Sequence, residues 1–177
     1  DADALSEDNT RSLAVDVLQT VPVLIIDGDP AGEDGSYVAD AIAAEARRYT
    51  PDVTRIYTPN ATWAKVKAAA QGANVLVYLG HGNGSPSIYG PLQPITKDGL
   101  GLDPGSGAAS TRTVYYGEDF IRSDILLAPN AVVLLYHLCY ASGNTEPGLA
   151  AGTFSQARQR VDNYGAGFIG AGARAVF

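Results

Sequence analysis

Two residues with catalytic chemistry follow apolar segments of this 177-residue chain. His81 comes one glycine after the run 75–79, and Cys139, the single cysteine, follows the run 131–138. A thiolate is a strong nucleophile toward a carbonyl carbon, and a neighbouring imidazole can take and return the protons of that reaction. We therefore predict that Cys139 and His81 form a catalytic pair, in which the imidazole lowers the pKa of the thiol.

Glycines surround the predicted base, in the segment GHGNG that begins at Gly80. Such clusters are typical of a backbone held in unusual conformations at active sites. Gly82, directly after the histidine, leaves room for a substrate backbone and has an amide that can donate. The oxyanion formed by attack on a carbonyl needs N–H donors of this kind. We predict that the N–H groups of Gly82 and Cys139 form the oxyanion hole.

Strand and helix patterns alternate along the chain and must position these residues. Short apolar runs predict strands at residues 21–26, 53–57, 75–79, 131–138 and 166–169. Helical spacing and capping residues predict helices at 36–49, 62–70, 117–127 and 153–161. Alternation of this kind, with strands apolar on both faces, is typical of a parallel sheet covered by helices on both sides. The sequence therefore predicts an α/β fold.

The carboxyl ends of parallel strands are the usual place for a ligand site. Asp27 and Asp29 follow the first predicted strand, and the Asp-Gly-Asp-Pro sequence is also favourable turn chemistry by itself. In a flavodoxin-like order, 2-1-3-4-5, the first, third and fourth strands are neighbours. These two acidic residues, His81 and Cys139 would then lie in one row.

The connection 85–113 is rich in Gly, Pro and Ser and has no clear periodicity. A structureless connection of this length is usually a functional lid or a mobile segment. Asp98 and Asp103 within it are interpreted as solvated turn residues. The sequence therefore predicts a lid near the strand ends.

Composition excludes several classes of function. A formal net charge of −7 and a pI of about 4.6, with scattered Lys and Arg, exclude a nucleic-acid surface. No apolar run is long enough to span a membrane. A single cysteine excludes an internal disulfide and a Cys-rich zinc site. The length suits one domain.

Short motifs in this order resemble a known family. YLGHG at 78–82 resembles the apolar strand and His-Gly of the caspase-like cysteine peptidases (clan CD), and residues 134–139 resemble the block that ends in their nucleophile. YLGHGNG followed by GAGFIGAG is most similar to gingipain-type peptidases. The resemblance implies a three-layer caspase-like fold with a mainly parallel sheet and helices on both faces. It implies one peptidase domain over residues 1–177, with His81 and Cys139 as catalytic residues and no cofactor.

The resemblance also bears on the substrate. In these families the residue two before the nucleophile borders the specificity pocket, and here it is His137. In clostripain-like and metacaspase-like relatives, an acidic residue after the first strand selects a basic side chain. Substrate-binding roles are thus implied for Asp27 or Asp29 and for His137, with the connection 85–113 closing over the pocket. The expected partner is a polypeptide substrate, and the expected location is the outside or surface of a bacterial cell. A further strand or domain is expected beyond Phe177.

Two other functions fit the same residues. The chain could be a non-catalytic binding or scaffold domain of this fold, because free cysteine also packs as a small hydrophobic residue. Alternatively, His81, His137 and Cys139 could hold zinc. Fast alkylation of the thiol would indicate a catalytic pair and slow alkylation a buried cysteine. Alkylation only after chelation would indicate a metal ligand.

Overall fold

A five-stranded parallel sheet forms the centre of the computed structural model, which describes residues 18–29, 33–105, 112–141, 145–146 and 148–177. In chain order the elements are β1 (Val23–Asp27), α1 (Glu33–Ala46), β2 (Val53–Tyr57), α2 (Trp63–Ala69), β3 (Val75–Leu79), β4 (Leu100–Leu102), β5 (Val114–Tyr116), α3 (Glu118–Asp124), β6 (Ala131–Tyr136), α4 (Phe154–Gly170) and β7 (Ala173–Val176). The strand order is β2-β1-β3-β6-β7, and all four pairings are parallel. The predicted α/β class is confirmed. The first four predicted strands have the flavodoxin-like order 2-1-3-4, and the fifth position is taken by β7, which the sequence did not predict.

Both faces of β1 are buried, because successive side chains of a strand point to opposite faces. Val23 and Ile25 lie in one apolar cluster with Ala39 and Ala43 of α1. The alternate side chains of β1 lie in a second cluster with residues of α2, α3 and α4. The four described helices therefore cover both faces of the sheet. None of them is long and apolar enough to cross a membrane.

The prediction of a strand at 166–169 is wrong, because these residues lie within α4. The helix begins with a capping box, in which the Thr153 hydroxyl accepts the N–H of Gln156 at 3.2 Å. A short apolar run fits a buried helix as well as a strand. A Cβ on Gly167 would lie 3.3 Å from the Cα of Glu118, so this glycine lets α4 pack closely on α3.

The connection 85–113 contains regular structure, contrary to the prediction. β4 pairs with β5 in an antiparallel ribbon, and both leucines of β4 are buried. Asp98 exposes 0% of its surface and Asp103 exposes 4%, so the interpretation of both as solvated turn residues is wrong. Residues 106–111 lie outside the described part of the chain. Residues 97–103 of the connection are buried in the core, whereas residues 88–93 and Ile95 are exposed.

Candidate active site

The strand ends that carry the predicted reactive residues are neighbours in the sheet. β1 pairs with β3, and β3 pairs with β6. One groove at this edge is lined by all the predicted site residues with polar side chains: Asp27, Asp29, His81, His137 and Cys139. Its volume is about 1530 Å³, whereas small-molecule pockets measure about 300–1,000 Å³. The groove is therefore large enough for an extended polypeptide segment.

Asp29 contacts the predicted base. Its Oδ1 atom lies 3.5 Å from Nε2 of His81. The turn that follows β1 holds Asp29, because its N–H donates to Oδ1 of Asp27 at 3.1 Å. Burial raises the pKa of the Asp27 carboxyl, although this N–H bond opposes the rise. Asp27 thus stabilises the turn, and the turn places the Asp29 carboxylate beside Nε2 of His81.

Gly82 and Gly84 let the histidine segment lie directly against the backbone around Cys139. A Cβ on Gly82 would lie 2.7 Å from both the N and the O atoms of Cys139, and a Cβ on Gly84 would lie 2.1 Å from the O atom of Tyr140. The N–H of Gly84 donates to the carbonyl oxygen of Cys139 at 3.3 Å. The space that Gly82 was expected to leave for a substrate is therefore filled by the backbone of Cys139.

The amides predicted to form the oxyanion hole lie beyond the ends of β3 and β6. Among the described residues, neither the N–H of Gly82 nor that of Cys139 donates a hydrogen bond within the protein. The sheet ladder therefore does not use either group. Cys139 is one of the described residues that line the groove, whereas Gly82 is not. A role for both amides in an oxyanion hole stays a prediction.

Tyr78 of β3 is a core residue whose side chain holds the backbone of His81 in place. Its buried hydroxyl oxygen lies 3.0 Å from the carbonyl oxygen of His81 and 2.7 Å from that of Gly101, and it accepts the N–H of Gly101 at 3.0 Å. Gly101 belongs to β4, so this strand of the 85–113 connection supports the backbone of the histidine. Sequence analysis missed Tyr78. The available signal was a hydroxyl inside a buried strand, since a buried Tyr O–H needs a partner.

Cys139 is partly buried in this site. Burial raises the pKa of its thiol, and the charge of the Glu146 carboxylate raises it further. The predicted lowering of this pKa is therefore wrong. A thiolate forms here only when a base removes the proton, which is the role expected of His81. Glu146 is fixed by Tyr89, whose hydroxyl donates to Oε2 at 2.8 Å.

His137 does not lie on a strand. β6 ends at Tyr136, two residues earlier than predicted, and His137 has a φ of 67°, in the left-handed region. Its exposed ring stacks at a tilt on the ring of Tyr136, with centroids 5.6 Å apart. The shared strand face that a zinc site with Cys139 would need is therefore absent. In the described part of the chain, no group of three His, Cys, Asp or Glu side chains is arranged to hold a metal ion.

The groove carries negative charge near the thiol. Its acidic lining residues are Asp27, Asp29, Glu146 and Asp162, and no Lys or Arg is among the described lining residues. A cleft lined by one sign of charge attracts groups of the opposite sign. Sequence analysis missed Glu146, because it lies in a loop with no pattern that links it to the cysteine. The arrangement favours a cationic side chain in the groove.

Comparisons of the chain with protein-family models, with curated proteins and with solved structures found no match. An α/β fold hosts many unrelated functions and does not by itself define one. The geometry and charge of the groove are therefore the basis for a functional proposal.

Proposed function

We propose that this chain is the peptidase domain of a caspase-like cysteine endopeptidase, with Cys139 and His81 as its catalytic dyad. The observation that carries the proposal is the packing of the histidine segment on the cysteine backbone, where a Cβ on Gly82 would lie only 2.7 Å from it. Main-chain packing of this kind fixes the backbone segments that carry the base and the nucleophile next to each other. The neighbouring strand ends and the motifs similar to gingipain-type peptidases support the same proposal.

In the proposed reaction, His81 removes the proton of Cys139 and the thiolate attacks the carbonyl carbon of the scissile bond. Asp29, whose Oδ1 atom lies 3.5 Å from Nε2, keeps the imidazole oriented. The N–H groups of Gly82 and Cys139 donate to the oxyanion. His81 then protonates the leaving amine, and water activated by the same imidazole hydrolyses the acyl-enzyme.

The preferred substrate is a polypeptide with a basic residue beside the scissile bond. Asp27 is buried and bonded to a backbone N–H, and Asp29 is engaged with His81. Glu146 is the carboxylate whose charge reaches the thiol, so it is well placed to pair with a substrate cation.

Activity profiling with peptides varied at the residue before the scissile bond tests this proposal. We expect cleavage after Arg or Lys, because a carboxylate in the groove pairs with a cationic side chain. Cys139→Ala should abolish cleavage, and Glu146→Gln should weaken the preference for basic residues. Cleavage after acidic or small residues would contradict the role of Glu146. The absence of any cleavage by the wild-type chain would contradict the peptidase proposal.

The raised pKa of the Cys139 thiol favours one alternative, a non-catalytic domain that binds polypeptides in the same groove. In such a domain the thiol would be a packing residue. Peptides would then bind without being cleaved, and alkylation of Cys139 would proceed at the same slow rate in the wild type and in His81→Ala.

A further inference from the structure

Two buried residues of opposite charge contact residues 83–87, the segment that follows His81. Lys97 and Asp98, adjacent in the chain, expose only 2% and 0% of their surface. Oδ1 of Asp98 accepts the N–H of Ser85 at 2.9 Å. The N–H of Asp98 donates to the carbonyl oxygen of Asn83 at 3.1 Å. Asp98 therefore contacts this segment at two points, within four residues of the proposed base.

Lys97 binds the same segment through its side chain. Its Nζ atom donates to Oγ of Ser87 at 2.8 Å and lies 3.4 Å from Oδ1 of Asn83. From α4, the side-chain amide of Asn163 donates to the carbonyl oxygen of Ser85 at 3.0 Å. Residues 83–87 are thus held by hydrogen bonds from two separate parts of the chain, although no strand or helix includes them.

The Asp98 carboxylate is incompletely bonded. Among the described residues its Oδ2 atom has no hydrogen-bond partner. Burial raises its pKa to about 6, while the N–H of Ser85 lowers it, the charge of Glu118 on α3 raises it and that of Lys97 lowers it. The hydroxyl of Tyr164 on α4 also faces this region and has a pKa raised well above its ordinary value by burial, so it stays neutral. Asp98 is therefore the group here that changes charge near pH 6.

We propose that the ionised carboxylate of Asp98 is a positioning group that holds residues 83–87, and through them the His81 segment, against Cys139. Protonation weakens the charge-assisted hydrogen bond that the carboxylate accepts and removes the counter-charge beside Lys97. The segment then loosens, and the base is no longer held on the nucleophile. The consequence for catalysis rests on the proposed peptidase function, whereas the positioning itself does not.

The amide signal of Ser85 in ¹H–¹⁵N spectra of the full chain tests the positioning directly. We expect this signal to shift with pH with a midpoint of about 6. The titration should persist in His81→Ala and disappear in Asp98→Asn. Asn is the suitable replacement, because Asp98 has a φ of 62° and Asn also tolerates the left-handed region. A flat Ser85 signal in the wild type, or a titration lost in His81→Ala but kept in Asp98→Asn, would overturn the proposal.

Peptide hydrolysis separates this proposal from the peptidase proposal. At about pH 7.5, Asp98→Asn should lower kcat roughly tenfold, as expected for loss of a hydrogen bond to a charged group. The matched control is Asp103→Asn, which alters a buried carboxylate that accepts the N–H of Ala61 at 3.0 Å and should keep near wild-type activity. Equal activity of the two variants would overturn the positioning role. An inactive wild type with a normal Ser85 titration would overturn only the peptidase proposal.

Discussion

His81 is held by contacts to both its side chain and its backbone. Asp29 contacts its Nε2 atom at 3.5 Å, and the Tyr78 hydroxyl lies 3.0 Å from its carbonyl oxygen. Catalytic hydrogen bonds are often long in unliganded structures and shorten when a substrate binds. The geometry therefore supports a role in which Asp29 acts through His81. The sequence had instead suggested that Asp29 selects the substrate.

Asp29→Ala should lower kcat roughly tenfold or more with little change in KM, because a residue that orients the base acts in the transition state. The measurement is steady-state hydrolysis of the best peptide from activity profiling. Asp52→Asn, an exposed aspartate before β2, is the control and should behave as the wild type. A change confined to KM would instead support the substrate-binding role that the sequence suggested.

The elements were predictable where the chain forms short apolar runs bounded by turn residues. β2 and β3 have the bounds that the sequence predicts. β6 ends early because the backbone turns at His137, with a φ of 67°, although the apolar Leu138 continues the run. Hydrophobic content cannot reveal such a turn. Nor can it separate a strand from a helix at 166–169, where contact with α3 decides the outcome.

The row of site residues was predictable for a geometric reason, since parallel strands bring their carboxyl ends to one edge of the sheet. Contacts between residues that lie far apart in the sequence were not predictable. Tyr78, Asp98 and Glu146 act through partners 23, 13 and 57 residues away. Local patterns carry no information on partners at these separations, so these three residues had to be found in the structure.

Two glycines of α4 should respond in opposite ways to alanine. Nothing lies within 4 Å of a Cβ on Gly165, whereas a Cβ on Gly167 would lie 3.3 Å from backbone and side-chain atoms of Glu118. Gly165→Ala should raise the free energy of unfolding by about 0.5–1 kcal/mol, because alanine has the higher helix propensity. Gly167→Ala should gain less or destabilise the protein, since α3 must shift. Urea unfolding of both variants checks this, and equal stabilisation would contradict the close packing of α3 on α4.

Across the whole molecule, the buried carboxyls of Asp27 and Asp98 make stability depend on pH in an unusual direction. Burial raises both pKa values in the folded protein, that of Asp98 from 3.8 to about 6. The folded state therefore holds these protons more tightly than the unfolded state. Their stabilising contribution is present below the unfolded pKa and is lost as pH rises through the folded pKa. Ionisation of Asp98, which we propose holds residues 83–87 in place, therefore lowers the free energy of unfolding of the whole protein.

Asp98→Asn should remove the contribution of Asp98 to the pH dependence of stability. Relative to the wild type, the free energy of unfolding of the variant should rise between about pH 4 and about pH 7, by at most about 3 kcal/mol. Urea unfolding of the variant, the wild type and the exposed control Asp52→Asn at both pH values gives this difference. A difference between Asp98→Asn and the wild type that does not change with pH would contradict the raised pKa of Asp98.

Covalent labelling tests directly whether Cys139 is a nucleophile activated by His81. The full chain is incubated with a peptidyl acyloxymethyl ketone that carries Arg at its reactive end, and the adduct is located by mass spectrometry. We expect rapid stoichiometric labelling of Cys139 in the wild type and in Asp52→Asn, and labelling slowed by roughly a hundredfold or more in His81→Ala, since the thiol needs its base. Absence of an adduct in the wild type, or equal rates with and without the imidazole, would contradict the claim.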